Sequence, residues 1–231
     1  MQRKLTLFVM SSLFLFFSFS SFGQTHSKNA VGLQTGYNRG FGIMGNFTIF
    51  NIAEGLPGNI RFGLGYNRLD PGNAADARRI FINNATNGVP EKDGKSFDYR
   101  IDYMMPYKLL NFKNSYLVFG PRYSSFTATF NYVGGNEKFN ITSKQWGIGL
   151  GAESYFKMTS NLDLVFIAGL DYFFNGKLQG HDTSYAPNND NVNPRNDNQN
   201  NDTPFTFRDA NKAVKQPQLM PRIMVGVNYR L

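Results

Sequence analysis

Apolar and polar side chains alternate along the last fourteen residues of the chain. Leu219, Pro221, Ile223, Val225, Val227, Tyr229 and Leu231 fall in one register, and Gln218, Arg222, Met224, Gly226, Asn228 and Arg230 in the other. A period of two with one apolar face and one wet face predicts a β-strand. Seven further segments repeat the pattern, so strands are predicted at residues 29–37, 41–50, 59–69, 97–110, 115–133, 139–158, 162–178 and 218–231. Short turn-like connections (51–58, 111–114 and 159–161) alternate with tight hairpins (38–40 and 134–138) and two long loops (70–96 and 179–217).

Short turns on one rim and longer loops on the other predict an all-β fold: an eight-stranded antiparallel up-and-down transmembrane β-barrel, with the turn rim periplasmic. A secreted lipocalin-like barrel would show the same alternation with its apolar face inward, so the faces must be assigned. The glycines assign them. Gly32, Gly36, Gly42, Gly63, Gly65, Gly120, Gly147, Gly149, Gly151, Gly169 and Gly226 share the polar register. The opposite register carries Leu33, Phe41, Ile43, Phe62, Leu64, Phe119, Trp146, Ile148, Leu150, Phe166 and Leu170 among others. An eight-stranded lumen is filled by its own side chains and has no room for that volume. The bulky set is therefore expected against lipid. Aromatic girdles are expected with it: Tyr37, Tyr66, Phe97, Tyr99, Trp146 and Tyr172 toward the loop rim, and Phe50, Tyr107, Phe156 and Tyr229 toward the turn rim.

The polar register also carries Arg61, Arg100, Asp102, Arg122, Glu153, Asp163, Asp171 and Arg222. Charges of both signs in a narrow lumen must pair, because a lone buried ion costs several kcal/mol. These eight residues are the expected lumen charge network, a structural lattice that plugs the barrel; a proton path or a gated pore would draw on the same side chains. Pro106, Pro121 and Pro221 lie inside predicted strands, where each removes a ladder hydrogen bond. Bulges are expected near them, with a register change in the fifth strand between Tyr123 and Phe126.

At the start of the chain, Arg3 and Lys4 precede an apolar run from residue 5 to 19, and Ser21-Phe22-Gly23 presents small residues where a signal peptidase cleaves. Residues 1–23 are therefore expected to be a signal peptide and residues 24–231 an outer-membrane β-barrel domain. Losing Arg3 and Lys4 takes the formal charge from +8 to +6 over about 208 residues, a length that suits one domain. There is no cysteine, which excludes a lipoprotein anchor and disulfide staples. A mean hydropathy of −0.37 excludes a bundle of membrane helices. The basic residues are scattered with no nucleic-acid motif, so nucleic acid is not an expected partner. Basic surface instead suits the anionic sugars and phosphates of the cell exterior.

The terminal segment Met224-Val225-Gly226-Val227-Asn228-Tyr229-Arg230-Leu231 is similar to the signal read by the barrel-assembly machinery, with Leu231 in place of the common Phe. With eight strands the chain resembles the small OmpX-like and OmpA-like outer-membrane barrels. The resemblance implies outer-membrane lipid and lipopolysaccharide as surroundings, the assembly machinery as a biogenesis partner, and other envelope or surface proteins as contacts. Unlike the OmpA type, no domain follows the barrel, so a peptidoglycan tether is not expected. The fifth and sixth strands exceed the 9–11 residues a membrane strand needs, so residues 126–139 are expected to stand above the membrane as a hairpin, as the OmpX-like resemblance implies.

No cofactor, metal or phosphate-binding motif is present. The Asn/Asp-rich tract 188–202 lacks the ordered spacing and glycine of a calcium loop and is expected to be a mobile, solvated loop. Residues 73–81 suit a short helix, without a convincing cap. Four Asn-X-Thr sequons, at Asn46, Asn84, Asn140 and Asn201, are expected to be chance in a bacterial chain. Of the two histidines, His26 flanks the cleavage site, leaving His181 with Asp182 and Ser184 as the one catalytic candidate, in a loop with no predicted oxyanion hole. The leading expectation is a non-enzymatic barrel serving envelope structure, adhesion or partner binding. A narrow channel or ligand-uptake barrel stands second, and a lipid A-modifying enzyme third.

Overall fold

The computed structural model describes residues 29–52, 57–82, 88–109, 112, 114–135, 137–197 and 203–231. The expected signal peptide, His26, the sequons at Asn84 and Asn201 and residues 198–202 of the polar tract lie outside these. Eight strands form the barrel: β1 (Asn29–Asn38), β2 (Phe41–Ile49), β3 (Asn59–Leu69), β4 (Val89–Pro106), β5 (Ser115–Val133), β6 (Lys138–Lys157), β7 (Leu162–Phe173) and, after four two-residue strands β8 (Leu178–Gln179), β9 (Ser184–Tyr185), β10 (Asn196–Asp197) and β11 (Thr203–Pro204), β12 (Leu219–Arg230). Each pairs antiparallel with its sequence neighbours, and β1 pairs with β12, which closes the ring and leaves no edge in the spanning region.

The predicted strands hold in number and order. Three boundaries need correction, the smallest being the end of the fourth strand, at Pro106 where 110 is expected. The fourth begins at Val89 rather than 97, because residues 89–96 pair with 126–133 of β5. The seventh ends at Phe173 rather than 178, and Leu178–Gln179 instead pairs with Ser143 and Thr142 of β6.

β4, β5 and β6 are 18, 19 and 20 residues long, against 9–12 for the other barrel strands. At about 3.3 Å per residue they outrun a bilayer and rise well beyond the loop rim. Their register never changes: Val89↔Val133 and Met104↔Val118 belong to one ladder, as do Ser115↔Ser154 and Asn131↔Lys138. The register change expected between Tyr123 and Phe126 is absent. What changes is the chemistry of each face. Below that level β5 points Arg122 and Ser124 inward and Phe119 and Tyr123 outward; above it the same inner face carries Phe126, Ala128, Phe130 and Tyr132, and the outer face Thr127, Thr129 and Asn131. The inner face meets a protein core above the membrane and a polar lumen within it, so hydropathy inverts while the pleat continues.

No bulge forms at the prolines either. Pro121 interrupts the β4–β5 ladder only opposite Ile101 and Asp102, with the same register on both sides, and the Arg122 guanidinium donates to the Gly120 and Pro121 carbonyls at 3.3 and 3.0 Å. Pro221 and Pro106 turn their missing N–H toward strands that have already ended, since β1 stops pairing with β12 at Arg222 and β3 with β4 at Met104.

The described parts of both long loops fold into a cap over the mouth. Helix α1 (Ala74–Phe81) does have a cap: Asn73 Oδ1 accepts from the Ala75 and Asp76 amides at 3.0 and 3.3 Å. Helix α2 (Phe207–Ala213) starts in a capping box formed by Thr206 and Asp209. Phe81, Tyr185, Phe205, Phe207, Ala210 and Val214 bury against Phe126, Phe130, Phe139 and Ile141 of the raised sheet, with Leu69, Phe173 and Met220 below. At Gly72 (φ +116°) the chain passes so close to the Ala213 carbonyl that a side chain would collide with it. The 126–139 hairpin is thus one wall of a second apolar core rather than a free ribbon.

Candidate functional site

The β-pleat sends every second residue inward, and the glycines on neighbouring strands leave room for long charged side chains. A Cβ at Gly63 would lie 2.6 Å from Arg100 Cγ, and one at Gly169 2.8 Å from an Arg222 nitrogen. Into that space project seven of the eight predicted charges, fully or almost fully buried. Arg61 reaches Glu153 through two hydrogen bonds of 2.6 Å and Asp102 at 2.8 Å. Arg122 lies 2.6 Å from the other Asp102 oxygen and 2.9 Å from Asp171. Asp171 also receives Arg100 at 2.9 Å and Arg222 at 2.5 Å. The result is one continuous lattice, Glu153–Arg61–Asp102–Arg122–Asp171 with Arg100 and Arg222, joining β3, β4, β5, β6, β7 and β12 across the lumen. Bidentate and shared geometry of this kind offsets the desolvation of buried ions.

Asp163 stands apart. It pairs with Arg230 at 2.8 Å toward the turn rim, separated from the lattice by Val165 and Ile167 on its own strand. Those two pack with Met44 and Met224, and with the half-buried Tyr155, in an apolar layer, while the Tyr155 hydroxyl donates to Glu153 at 3.0 Å. Asp98 is not among the predicted charges. It is buried, accepting from Ser124 Oγ at 2.7 Å and Asn67 Nδ2 at 2.6 Å. A signal for it does exist in the sequence: Asp98, Arg100 and Asp102 alternate on one face of β4.

Above the lattice, Gln145 donates to the Pro217 and Phe174 carbonyls at 2.6 and 3.1 Å, and Ser143 to Gln216 Oε1 at 2.7 Å. These tie the lumen wall to the cap. Asp70 fastens the cap from outside, accepting from Lys92 at 2.7 Å and Lys215 at 2.9 Å. Partial burial alone would raise its pKa, but the two ammonium groups and the Gly72 amide hold it well below the usual carboxylate range. Tyr132 and Tyr185 donate to the Ala74 and Ile80 carbonyls at 2.9 and 3.1 Å, anchoring α1.

The catalytic candidates do not assemble. The His181 ring is exposed and bonds Asp182 at 2.8 Å, whereas Ser184 is buried and pairs through its backbone with Val192. The polar tract up to Asp197 folds into local turns: Asn188 Oδ1 accepts from the Asp190 amide, Asn191 Oδ1 from the Ala186 amide, and Asp197 is buried. Apart from Asp197 the described part is exposed or half-buried, as expected of a solvated loop. Among the described residues no group of three His, Cys, Asp or Glu gathers to hold a metal.

Outside, Leu33, Ile43, Phe62, Leu64, Ile148, Leu150, Leu170, Ile223 and Val225 form an exposed apolar belt. Tyr66 and Phe97, Tyr99 and Tyr123, and Tyr123 and Trp146 meet along its upper border with ring centroids 5.2, 6.0 and 5.1 Å apart. Phe112, Phe156 and Phe166 meet along the lower one at 5.3 and 5.5 Å. Trp146 and Phe156 lie ten residues apart on β6. At about 3.3 Å per residue and a tilt of about 40°, that is a belt about 25 Å tall, the height of a membrane's apolar layer in barrels of this type.

A closed ring of eight antiparallel strands, greasy outside and ionic inside, defines a small transmembrane barrel of the outer-membrane type. No family model matches the chain, and no curated protein matches it in sequence. Among solved structures it is similar to a major outer membrane protein from Thermus thermophilus, with 23% identity and a TM-score of 0.65 over 88% of this chain and 98% of that one. It also matches CarO from Acinetobacter baumannii, with 13% identity and a TM-score of 0.39 over 91% of this chain and 100% of that one. Neisserial surface protein A matches with 13% identity and a TM-score of 0.35 over 88% and 94%. The first of these shows the same barrel fold.

Proposed function

We propose that the protein is a non-enzymatic outer-membrane barrel sealed against conduction, whose role lies in the surface it raises above the membrane: envelope structure, adhesion or the binding of a partner protein. In this reading residues 1–23 direct export, and β12 presents the segment the barrel-assembly machinery reads. The observation that carries the proposal is the double closure of the lumen. The Arg61–Glu153–Asp102–Arg122–Asp171 lattice crosses it inside the membrane, and a cap with its own apolar core covers the mouth. A conducting pore needs a continuous wet path, whereas these layers are ionic, apolar and mutually bonded.

Planar-bilayer recording of the purified, refolded barrel tests the seal. A silent bilayer with verified insertion is expected; steady single-channel conductance would overturn the reading in favour of the narrow channel.

A further inference from the structure

The two aromatic girdles have different outer neighbours. On the loop rim, moving two residues away from the membrane leads from Tyr37 to Arg39 in the hairpin past β1 and, along the outward face of each strand, from Tyr66 to Arg68, from Phe97 to Lys95 and from Trp146 to Lys144, whereas Tyr172 leads to the exposed Phe174. On the turn rim the same step leads from Tyr103 to Met105, from Phe156 to Met158 and from Tyr229 to Leu231, all exposed and apolar. Basic side chains thus form a partial collar, over the sector of β3, β4 and β6, at one end of the belt.

We infer that this collar binds the phosphate groups of lipopolysaccharide in the leaflet at the loop rim. The inference rests on the outer-membrane reading above. Lys144 is exposed and Lys95 half-buried, and among the described residues neither makes an ion pair. Arg68 is largely exposed and shares one long contact of 3.3 Å with Asp93, the one carboxylate paired to the collar among the described residues. Arg39 is committed to the cap through the Gln216 carbonyl at 3.0 Å, so the working cations are Arg68, Lys95 and Lys144. Register places them around one sector: Arg68 is directly opposite Lys95, and Lys144 lies beyond β5 opposite Ser125, the partner of Phe97. Strands about 4.8 Å apart set Lys95 and Lys144 about 10 Å or more from each other. That spacing suits separate phosphates on one headgroup better than a single chelated ion. Cations held at headgroup depth beside anchoring aromatics attract anionic lipid through a field that salt screens.

The test uses the whole refolded barrel in detergent micelles, titrated with lipopolysaccharide, with the same lipopolysaccharide dephosphorylated, and with inorganic phosphate. Expected is salt-sensitive binding of the phosphorylated form, weakened at least about tenfold by dephosphorylation and by the triple variant Arg68→Gln, Lys95→Gln, Lys144→Gln. The turn-rim variant Lys108→Gln, Lys157→Gln should bind as the parent does. Equal binding of the two lipid forms, or an unaffected triple variant, overturns the collar, and competition by inorganic phosphate alone would mark a simple anion site instead. Heat-modifiable migration of each sample in SDS gels reports the barrel separately. A sample that shifts on boiling but ignores phosphorylation sinks the collar only; a parent protein that never shifts sinks the barrel reading itself.

Discussion

Asp171 accepts from three guanidinium groups on two oxygens. No other carboxylate in the lattice serves so many cations. Asp171→Asn would keep the shape and remove the charge, leaving Arg100, Arg122 and Arg222 crowded in a buried space. The expected cost is about 3–5 kcal/mol, the range for breaking a buried ion network on one side, measured by urea unfolding in micelles. Asp163→Asn should cost no more than about 1 kcal/mol in the same assay, because its partner Arg230 is partly exposed to screening. A Gly149→Ala change is a steric probe of the same place. Its methyl would run into Asp171 Oδ1 and the Arg122 guanidinium, so a loss comparable to that of Asp171→Asn is expected, without any change of charge.

At the scale of elements, the raised sheet and the two helices form a unit that can fail while the barrel stands. Phe130→Ala removes a fully buried ring from the cap core and should destabilise the cap by about 3–5 kcal/mol. Limited proteolysis should then cut within α1 or α2, while the barrel still shifts on boiling in SDS gels. Acid should loosen the same unit. The pKa of Asp70 is depressed in the folded state, so its contribution is complete above its unfolded value of about 4 and fades as pH falls through the native one. The protection of amides around residues 70–73 and 214–216, taken relative to the intrinsic exchange rate at each pH, should fall from pH 7 to pH 3, and Asp70→Asn should show the lowered protection already at pH 7.

The alternation makes the barrel strands legible because one lipid face and one polar face enforce it along the spanning part of each strand. The start of β4 is not legible, because Val89-Pro90-Glu91-Lys92-Asp93-Gly94 has the composition of a turn. Its pairing comes from β5, a tertiary cause that local propensity does not carry. The lattice is legible as inward charges, but its wiring is not, since which carboxylate meets which guanidinium depends on tilt and stagger across the lumen. Asp163 and Asp171 are equivalent in the sequence pattern for the same reason. The cap core is hidden in the two long loop segments, where Phe81, Tyr185, Phe205 and Phe207 are too far apart in sequence to form a pattern.

For the whole molecule, the seal is layered, so no single opening should suffice. Along β12 the inward residues run Met220 in the cap core, Arg222 in the lattice and Met224 in the apolar layer. A variant whose cap is loosened by Phe130→Ala should therefore remain silent in bilayers. Conductance from that variant alone would mean that the ionic layer leaks. The inversion of face chemistry on β5 and β6 also acts as a depth gauge. Were the barrel to sink by one pleat repeat, about 6–7 Å along the strand, Ser125 and Lys144 would be drawn down to the aromatic border of the hydrocarbon; were it to rise by as much, Ile148 would be lifted out to that border. Vertical position is thereby held to within a few ångströms, and a bilayer that is too thick or too thin must deform to meet the protein rather than the reverse.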